Sequence, residues 1–464
     1  FGRTALSRTS GMARRGLGIG EVPAGCTKWV FPGLSRDSIE GKILQLCSEG
    51  GVWEDKFLVE GYVGEGGFGI VWKGTDLGSG EPVALKTRIK TYDQDDEQEA
   101  DDNWMQEKET ALRVRSFASE CPNVVNVLAF TGPLRIKEES SGIPHIVVME
   151  NCNSGELSEF RDLREKGIGV ECTRWLAWQL LQGLHFFHKN GCAHRDLKED
   201  NVLFHVHEGK VIAKLTDFGV FRQAKGQGLT LMRSQSNYRP PPGLLSLQEN
   251  TRIAAAASCS LAILSRYGPA PRIASSECFD SLDASASSQI DEGAEDLCAN
   301  PFLFRSSSVD DRRAELADMA SWDLWLLGCV VFLCATGRDP WGSDSSPRYA
   351  EMNRLANQAG GGSDDDLNKL LWDAFEHDDH DERVHPRGGM KTELEAAPGS
   401  DELFSLLRRL LCLRVKDRPS FQEVLDHSFF AGFTTTLPPL TPDIAATLRE
   451  QSERIRAALD GVAR

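Results

Sequence analysis

The chain has no Cys-x-x-Cys pair, no basic excess and no apolar run of membrane-spanning length. Its twelve cysteines are scattered, which removes the paired-thiol signatures of zinc ribbons and thioredoxin-like redox sites. Cys329, Cys334 and Cys412 lie inside apolar segments, where a thiol behaves as a small hydrophobe. That usage suits a cytoplasmic or other reducing intracellular compartment. The formal net charge of −17 speaks against nucleic acid as a partner, because a phosphate backbone demands a basic face. The longest apolar run, Leu324 to Thr336, is about half of the ~20 residues a span needs. No membrane span is expected, and the run is read as a buried helix. Residues 1–20 hold four arginines and no acid. That composition leaves organelle targeting open, with a disordered basic tail as the plainer reading.

What is present suffices for two cored lobes. The chain has 464 residues, 40% hydrophobic and 26% charged, a balance typical of globular proteins. Its acids are concentrated: seven between Asp93 and Asp102, six between Asp373 and Glu382. Such runs are read as solvated loops, with attraction of a basic substrate or regulator as the functional alternative. Trp53 to Val63, Ile70 to Lys73 and Pro82 to Ile89 carry strand patterns, as do Val124 to Phe130 and Ile143 to Met149. A helix is expected over Asn103 to Ser116. Beyond residue 155 the pattern turns helical, over Arg174–Lys189, Trp322–Ala335 and Glu402–Leu413.

These patterns set the expected boundaries. Residues 1–52 form a tail, a small lobe covers about 53–150, and a large lobe covers about 151–434. Insertions interrupt the large lobe at about 243–316, rich in Ser and Ala, and about 343–400, acidic and glycine-rich. A tail of 435–464 closes the chain. Within it Leu448, Ile455, Leu459 and Val462 allow one helix, docked on the large lobe.

Several short motifs carry chemistry. Gly64-Glu65-Gly66-Gly67-Phe68-Gly69-Ile70-Val71 lies between two strand-like segments, with Val63 before it. Missing side chains there let backbone N–H groups approach the phosphates of a nucleotide, and Val71 would pack on its base. Lys86 ends Val83-Ala84-Leu85-Lys86, where alternation points Ala84 and Lys86 to one face. An ammonium bound to phosphates needs a carboxylate to hold it; Glu107 on the next helix is the first choice and Glu109 the second. His194-Arg195-Asp196-Leu197-Lys198-Glu199-Asp200-Asn201 is the strongest single signal. Asp196 would accept the proton of an attacking hydroxyl, Lys198 would face the transferring phosphate, and Asn201 would hold a metal ion. Asp217-Phe218-Gly219 follows a strand; Asp217 would chelate Mg²⁺ and Phe218 would pack under the Glu107 helix.

With Asp323-Leu324-Trp325 and Asp417-Arg418-Pro419-Ser420 these motifs fall in one order, and about residues 53–434 resemble the eukaryotic protein kinase superfamily. The resemblance implies an α+β, bilobal protein kinase fold: a small antiparallel β-sheet lobe with one main helix, and a larger, mostly helical lobe. It implies ATP and Mg²⁺ between the lobes and a protein substrate with a Ser or Thr acceptor. Lys198 looks like the Ser/Thr-directed branch. Met149 to Cys152 resembles the connector, so that Glu150, Cys152 and Leu203 would line the adenine and Glu156 would accept from the ribose hydroxyls. Arg195 suggests control by phosphorylation at Thr230, Ser234 or Ser236. Asp323 looks like the aspartate that fixes the catalytic-loop backbone.

The chain also departs from that pattern. Glu199 stands where the family usually has proline, away from any reacting group. Gln235 takes the place of an expected Thr, and Pro242 that of an expected Glu, after Tyr238 and Pro241. Arg418 would then lack its usual carboxylate. A buried unpaired guanidinium is costly, so Arg418 is expected to find another acid or to become exposed.

Overall fold

Apolar residues alternate with polar ones from Trp53 to Thr87, and strands form there. The computed structural model describes residues 39–47, 52–66, 69–87, 111–131, 134–139, 142–143, 146–217, 222–223, 309–341, 347–356, 394–412 and 417–462. Glu107, Glu109, Gly67, Phe68, Phe218, Gly219 and the 224–308 stretch with its departures from the family lie outside them. The chain divides into two compact units. One comprises Phe1–Glu120 and Val124–Cys152, the other Cys121–Asn123 and Asn153–Arg464.

The first unit is an eight-stranded antiparallel sheet. Its strands are β1 Ile43–Cys47, β2 Trp53–Gly66, β3 Gly69–Asp76, β4 Pro82–Thr87, β5 Val127–Thr131, β6 Leu134–Ile136, β7 Gly142–Ile143 and β8 Ile146–Glu150. Their spatial order is β5-β8-β4-β3-β2-β1-β6-β7. β5 and β6 are six places apart in that order, which in a flat sheet is about 29 Å. The link from Thr131 to Leu134 is three Cα steps, at most about 11 Å. The sheet must therefore curl on itself. Its inner face is apolar: Leu44, Phe57, Val59, Ile70, Trp72, Val83, Leu85, Leu134, Ile136, Ile146 and Val148 form one buried cluster. Trp72 keeps its indole N–H satisfied by donating to Thr87 Oγ1 at 3.1 Å.

β1 lies within the segment expected to be a tail. Five residues are too short to show a period, and pairing with β2 and β6 makes them a strand. The β6–β7 hairpin escaped the sequence reading for the same reason. Residues 111–117 are helical (α1) and coincide with the end of the helix expected from Asn103.

The second unit is mostly helical. Its helices are α2 Leu163–Lys166, α3 Val170–Lys189, α4 Val309–Thr336, α5 Pro347–Ala356, α6 Ser400–Leu410, α7 Phe421–Leu425, α8 Pro442–Gln451 and α9 Glu453–Val462. Its strands are β9 Cys192–Ala193, β10 Val202–His207, β11 Lys210–Leu215 and β12 Arg222–Gln223. α3 packs on α4, and α3 and the Met319–Thr336 part of α4 are buried nearly all round. α4 begins inside the stretch read as the first insertion, and α5 lies inside the second. By length and composition alone Met319–Thr336 could cross a membrane, longer than the run read from sequence, but 89% of it is buried in the protein. That is the burial of a core helix.

The C-terminal segment forms two helices where one was expected. Ser452 is extended, with φ −135° and ψ 119°, and its Oγ accepts the N–H of Ile455 at 3.3 Å, capping the start of α9. Ile444, Leu448, Ile455 and Leu459 are buried, whereas Val462 is exposed.

Candidate active site

In the first unit the glycine segment closes a β2–β3 hairpin. Gly64 pairs with Val71, Glu65 with Ile70, and Gly66 with Gly69. Gly69 is a glycine by necessity. Its φ is +150°, and a Cβ there would stand 2.3 Å from the Thr87 carbonyl oxygen and 3.7 Å from Lys86 Cε. The start of β3 thus lies tight against the end of β4, beside the lysine. Val71 pairs directly with Lys86, and Lys86 with Val147; Ala84 pairs with Met149. Directly paired residues share a face, so Val71, Ala84, Lys86, Val147 and Met149 lie together, opposite the apolar interior. Lys86 is 7% exposed.

Ile70 corrects the sequence reading. It is buried in the interior cluster, because it alternates with Val71, so it packs the sheet and faces away from Lys86. Val63 and Glu65 are exposed and Gly64 half-buried. Glu150 is half-buried and its Oε1 accepts the Asn126 N–H at 2.7 Å, so its carboxylate braces a turn. Cys152 is half-buried.

In the second unit the 194–201 loop is organised by one carboxylate. Asp323, on α4, is fully buried. Its Oδ2 accepts the His194 N–H at 2.9 Å and its Oδ1 the Arg195 N–H at 2.7 Å. Oδ2 also lies 2.8 Å from His188 Nε2, at the end of α3. Burial pushes the Asp323 carboxyl up, but His188, the charge of His194 and the Arg195 N–H outweigh it and hold it below its ordinary value. His188 was not singled out from sequence. The available signal was weak: a histidine in the last turn of a largely apolar helix that also carries His185.

The loop so held brings the expected residues together. Lys198 Nζ is 3.2 Å from Asp196 Oδ2. Asn201 Nδ2 donates to the Asp196 carbonyl at 2.7 Å and to its Oδ2 at 3.1 Å. Burial lowers the Lys198 ammonium, but Asp196, Asp217 and Asp200 raise it by more, so it is held above its usual value and stays charged. Thr216 is clamped on both sides: its N–H donates to the Asn201 carbonyl at 3.0 Å, and its carbonyl meets His194 Nε2 at 2.8 Å. The next residue, Asp217, is thereby fixed near Asn201. Asp217 and Arg195 have positive φ, 62° and 66°, a strain that non-glycine residues hold only where their surroundings enforce it.

Glu199, read as standing apart, is buried and paired with Arg164 of α2. Arg164 also donates to Asp339 Oδ2 at 2.9 Å, just beyond α4. The 194–201 loop is therefore tied to α2 and, through Arg164, to the segment after α4, as well as to Asp323. Glu156 sits in a β-bridge with Leu203 and shares a hydrogen bond with Ser158. Burial raises its carboxyl, and Asp200 and Glu159 raise it further against the opposing pull of Ser158 and Arg454.

Arg418 took neither expected course. It is buried, and among the described residues it has no acid. Its Nε donates to the Cys412 carbonyl at 3.0 Å and one Nη to the Ser321 carbonyl at 2.9 Å, and it lies 4.8 Å over the Trp325 ring. Burial pulls its guanidinium down to about 10, so it remains charged at neutral pH.

Residues 57–265 match the protein kinase domain family. The chain is 30% identical over 161 residues to cyclin-dependent kinase-like 4 of Mus musculus, covering 34% of this chain and 41% of that protein. It is 32% identical over 185 residues to cyclin-dependent kinase 4 of Xenopus laevis, covering 39% and 54%. It is 31% identical over 153 residues to the DNA damage response protein kinase DUN1 of Saccharomyces cerevisiae, covering 33% and 28%. The chain thus spans about half the length of these relatives or less. A protein kinase domain of α+β architecture is what the fold and these matches define together. The region around residues 57–265 belongs to the eukaryotic protein kinase superfamily.

Proposed function

We propose that the chain is an ATP-dependent protein kinase that transfers the γ-phosphoryl group to Ser or Thr hydroxyls of a protein substrate. The observation that carries this is the intact Asp196–Lys198–Asn201 constellation, held by Asp323 from beneath. Asp196 accepts the hydroxyl proton and orients the oxygen for attack. Lys198, charged and beside it, neutralises the transferring phosphate. Lys86, on its own unit, is the cation that the family resemblance assigns to nucleotide phosphates.

The donor set suits Mg²⁺. Among the described residues there is no cluster of three His, Cys, Asp or Glu side chains, which disfavours zinc-type ligation. Mg²⁺ instead takes one or two protein oxygens and completes its shell with water and phosphate. Asn201 and Asp217 are the two that would hold it, and when bound it would neutralise phosphate charge. Asp196 and Lys198 do their work on the hydroxyl and the phosphate independently of metal ligation.

A second reading, a pseudokinase that binds nucleotide or partners without turnover, is favoured by Pro242, Gln235 and the lack of an acid beside Arg418 among the described residues. Incubation with radiolabelled ATP and a generic basic protein separates the two. Label on Ser and Thr, lost in Asp196→Asn, is the expected result. Equal label with both proteins leaves the pseudokinase.

A further inference from the structure

The two C-terminal helices touch a specific stretch of the second unit. α8 ends at Gln451, and a helix end leaves its last carbonyls without intrahelical donors. The Gln451 carbonyl accepts the Arg161 N–H at 3.0 Å. Its side-chain Oε1 accepts the Asp162 N–H at 2.9 Å, and its Nε2 donates to Asp162 Oδ2 at 3.4 Å. Gln451 is 3% exposed, so a buried amide directs both ends of its side chain, and its own carbonyl, at one dipeptide. Buried amides without such partners are costly, which makes this a fitted contact.

Ion pairs flank the clamp. Arg161 lies 3.2 Å and Lys166 3.7 Å from Glu450, and Arg454 of α9 lies 3.3 Å from Glu159. α8 packs on α3 and α9 on β10.

The clamped stretch is continuous with Glu156. Glu159 N–H donates to the Glu156 carbonyl at 3.2 Å, Phe160 N–H to Leu157 at 3.1 Å, and Leu163 N–H to Phe160 at 3.2 Å. On its other side Glu156 is held by β10, where Phe204 N–H donates to the Gly155 carbonyl at 2.8 Å. Gly155 itself has φ +80°, and a Cβ there would meet Glu159 Oε2 at 2.2 Å and Arg454 Cδ at 3.1 Å. The turn bearing Glu156 is therefore packed directly against the C-terminal arm.

We infer that Gln451, supported by Arg454, is a positioning residue for Glu156, so that the C-terminal helices form part of the scaffold for recognising the nucleotide's ribose. This rests on the reading of Glu156 as acceptor of the ribose hydroxyls. Without the clamp, the 156–162 turn relaxes, and the carboxylate no longer meets two hydroxyls at once.

The test is the affinity of the full chain for ATP and for 2′,3′-dideoxy-ATP, by calorimetric titration. The wild type should prefer ATP. Gln451→Ala should bind ATP about five-fold more weakly, as expected for a lost hydrogen bond, and dideoxy-ATP equally well, so that the preference collapses. The ratio of the two affinities does not depend on how much of the protein is folded. Arg454→Glu, at a position whose side chain is 61% exposed, should lower the ratio in the same direction. A lowered melting temperature with an unchanged ratio in both variants overturns the inference and leaves the arm merely structural. A wild type that binds both nucleotides equally overturns the role of Glu156 and the inference with it. A wild type that binds neither overturns the nucleotide reading itself.

Discussion

Two buried charges face each other in character across α4. Asp323 is met on both oxygens, by two backbone N–H groups and by His188. Arg418 is met by two carbonyls and a tryptophan face, with one Nη left without a hydrogen-bond partner among the described residues. The first arrangement closes a network around the loop that carries Asp196. The second holds a charge that has no acid beside it among the described residues. The contrast locates the constraint. Both oxygens of the Asp323 carboxylate are met by donors, whereas the Arg418 guanidinium is a buried charge with weaker company.

Removing the better-held charge should do the greatest harm. Asp323→Asn leaves His188 and two loop N–H groups facing a poorer acceptor. A loss of about 3–5 kcal/mol in urea unfolding is expected, with phosphoryl transfer falling about 100-fold as the loop shifts. The pH dependence sharpens this. Because the folded carboxyl lies below its ordinary value, its stabilisation is complete above about pH 4 and is lost as pH falls through the lower folded value. The variant should lose that acid-dependent component.

Arg164→Ala should come next. It leaves the buried Glu199 carboxylate without this guanidinium, at a cost of about 1–3 kcal/mol. kcat should fall more than KM for ATP changes, because the network touches the catalytic loop. Adding Glu199→Gln should restore most of the stability; a double-mutant cycle that shows no coupling would separate the pair from the loop.

Arg418→Met tests the other half of the contrast. With no acid beside it among the described residues, the change should stay within about 1 kcal/mol by thermal melt, in either direction. A cost as large as that of Asp323→Asn would mean that an acid outside the described residues pairs with it.

The smallest effect is expected at Glu156, whose carboxyl is raised chiefly by burial. The sign is opposite to that of Asp323. The ionised form burdens the fold above the raised folded value, and the burden is gone below the ordinary glutamate value. Glu156→Gln should therefore raise the melting temperature at pH 7 and leave it unchanged at pH 4.

The candidate site residues stood out in the sequence because the proposed chemistry demands fixed residue types at fixed spacing. Asp196, Lys198, Asn201 and Asp217 lie close together in the second unit, and Lys86 shares a face with Val71 and Ala84 in the first. The long apolar helices were legible for a related reason, since burial on all sides leaves a continuous apolar signature. β1 and the β6–β7 hairpin were not, because strands of two to five residues exist only through their partners. Ile70 was assigned to the nucleotide by membership of a motif, although period-two alternation with Val71 already sends it to the interior. Arg164 and Gln451 gave no local signal at all. Their importance arises from contacts spanning 35 and 289 residues of sequence.

The most direct measurement is steady-state phosphoryl transfer by Asp196→Asn beside the wild type, with circular dichroism confirming that both are folded. The expected result is a wild type that transfers label to Ser and Thr and a variant reduced at least about 100-fold, the scale of a lost catalytic base. Equal rates from two equally folded proteins would contradict the assignment of Asp196, and with it the claim that this chain is a catalyst.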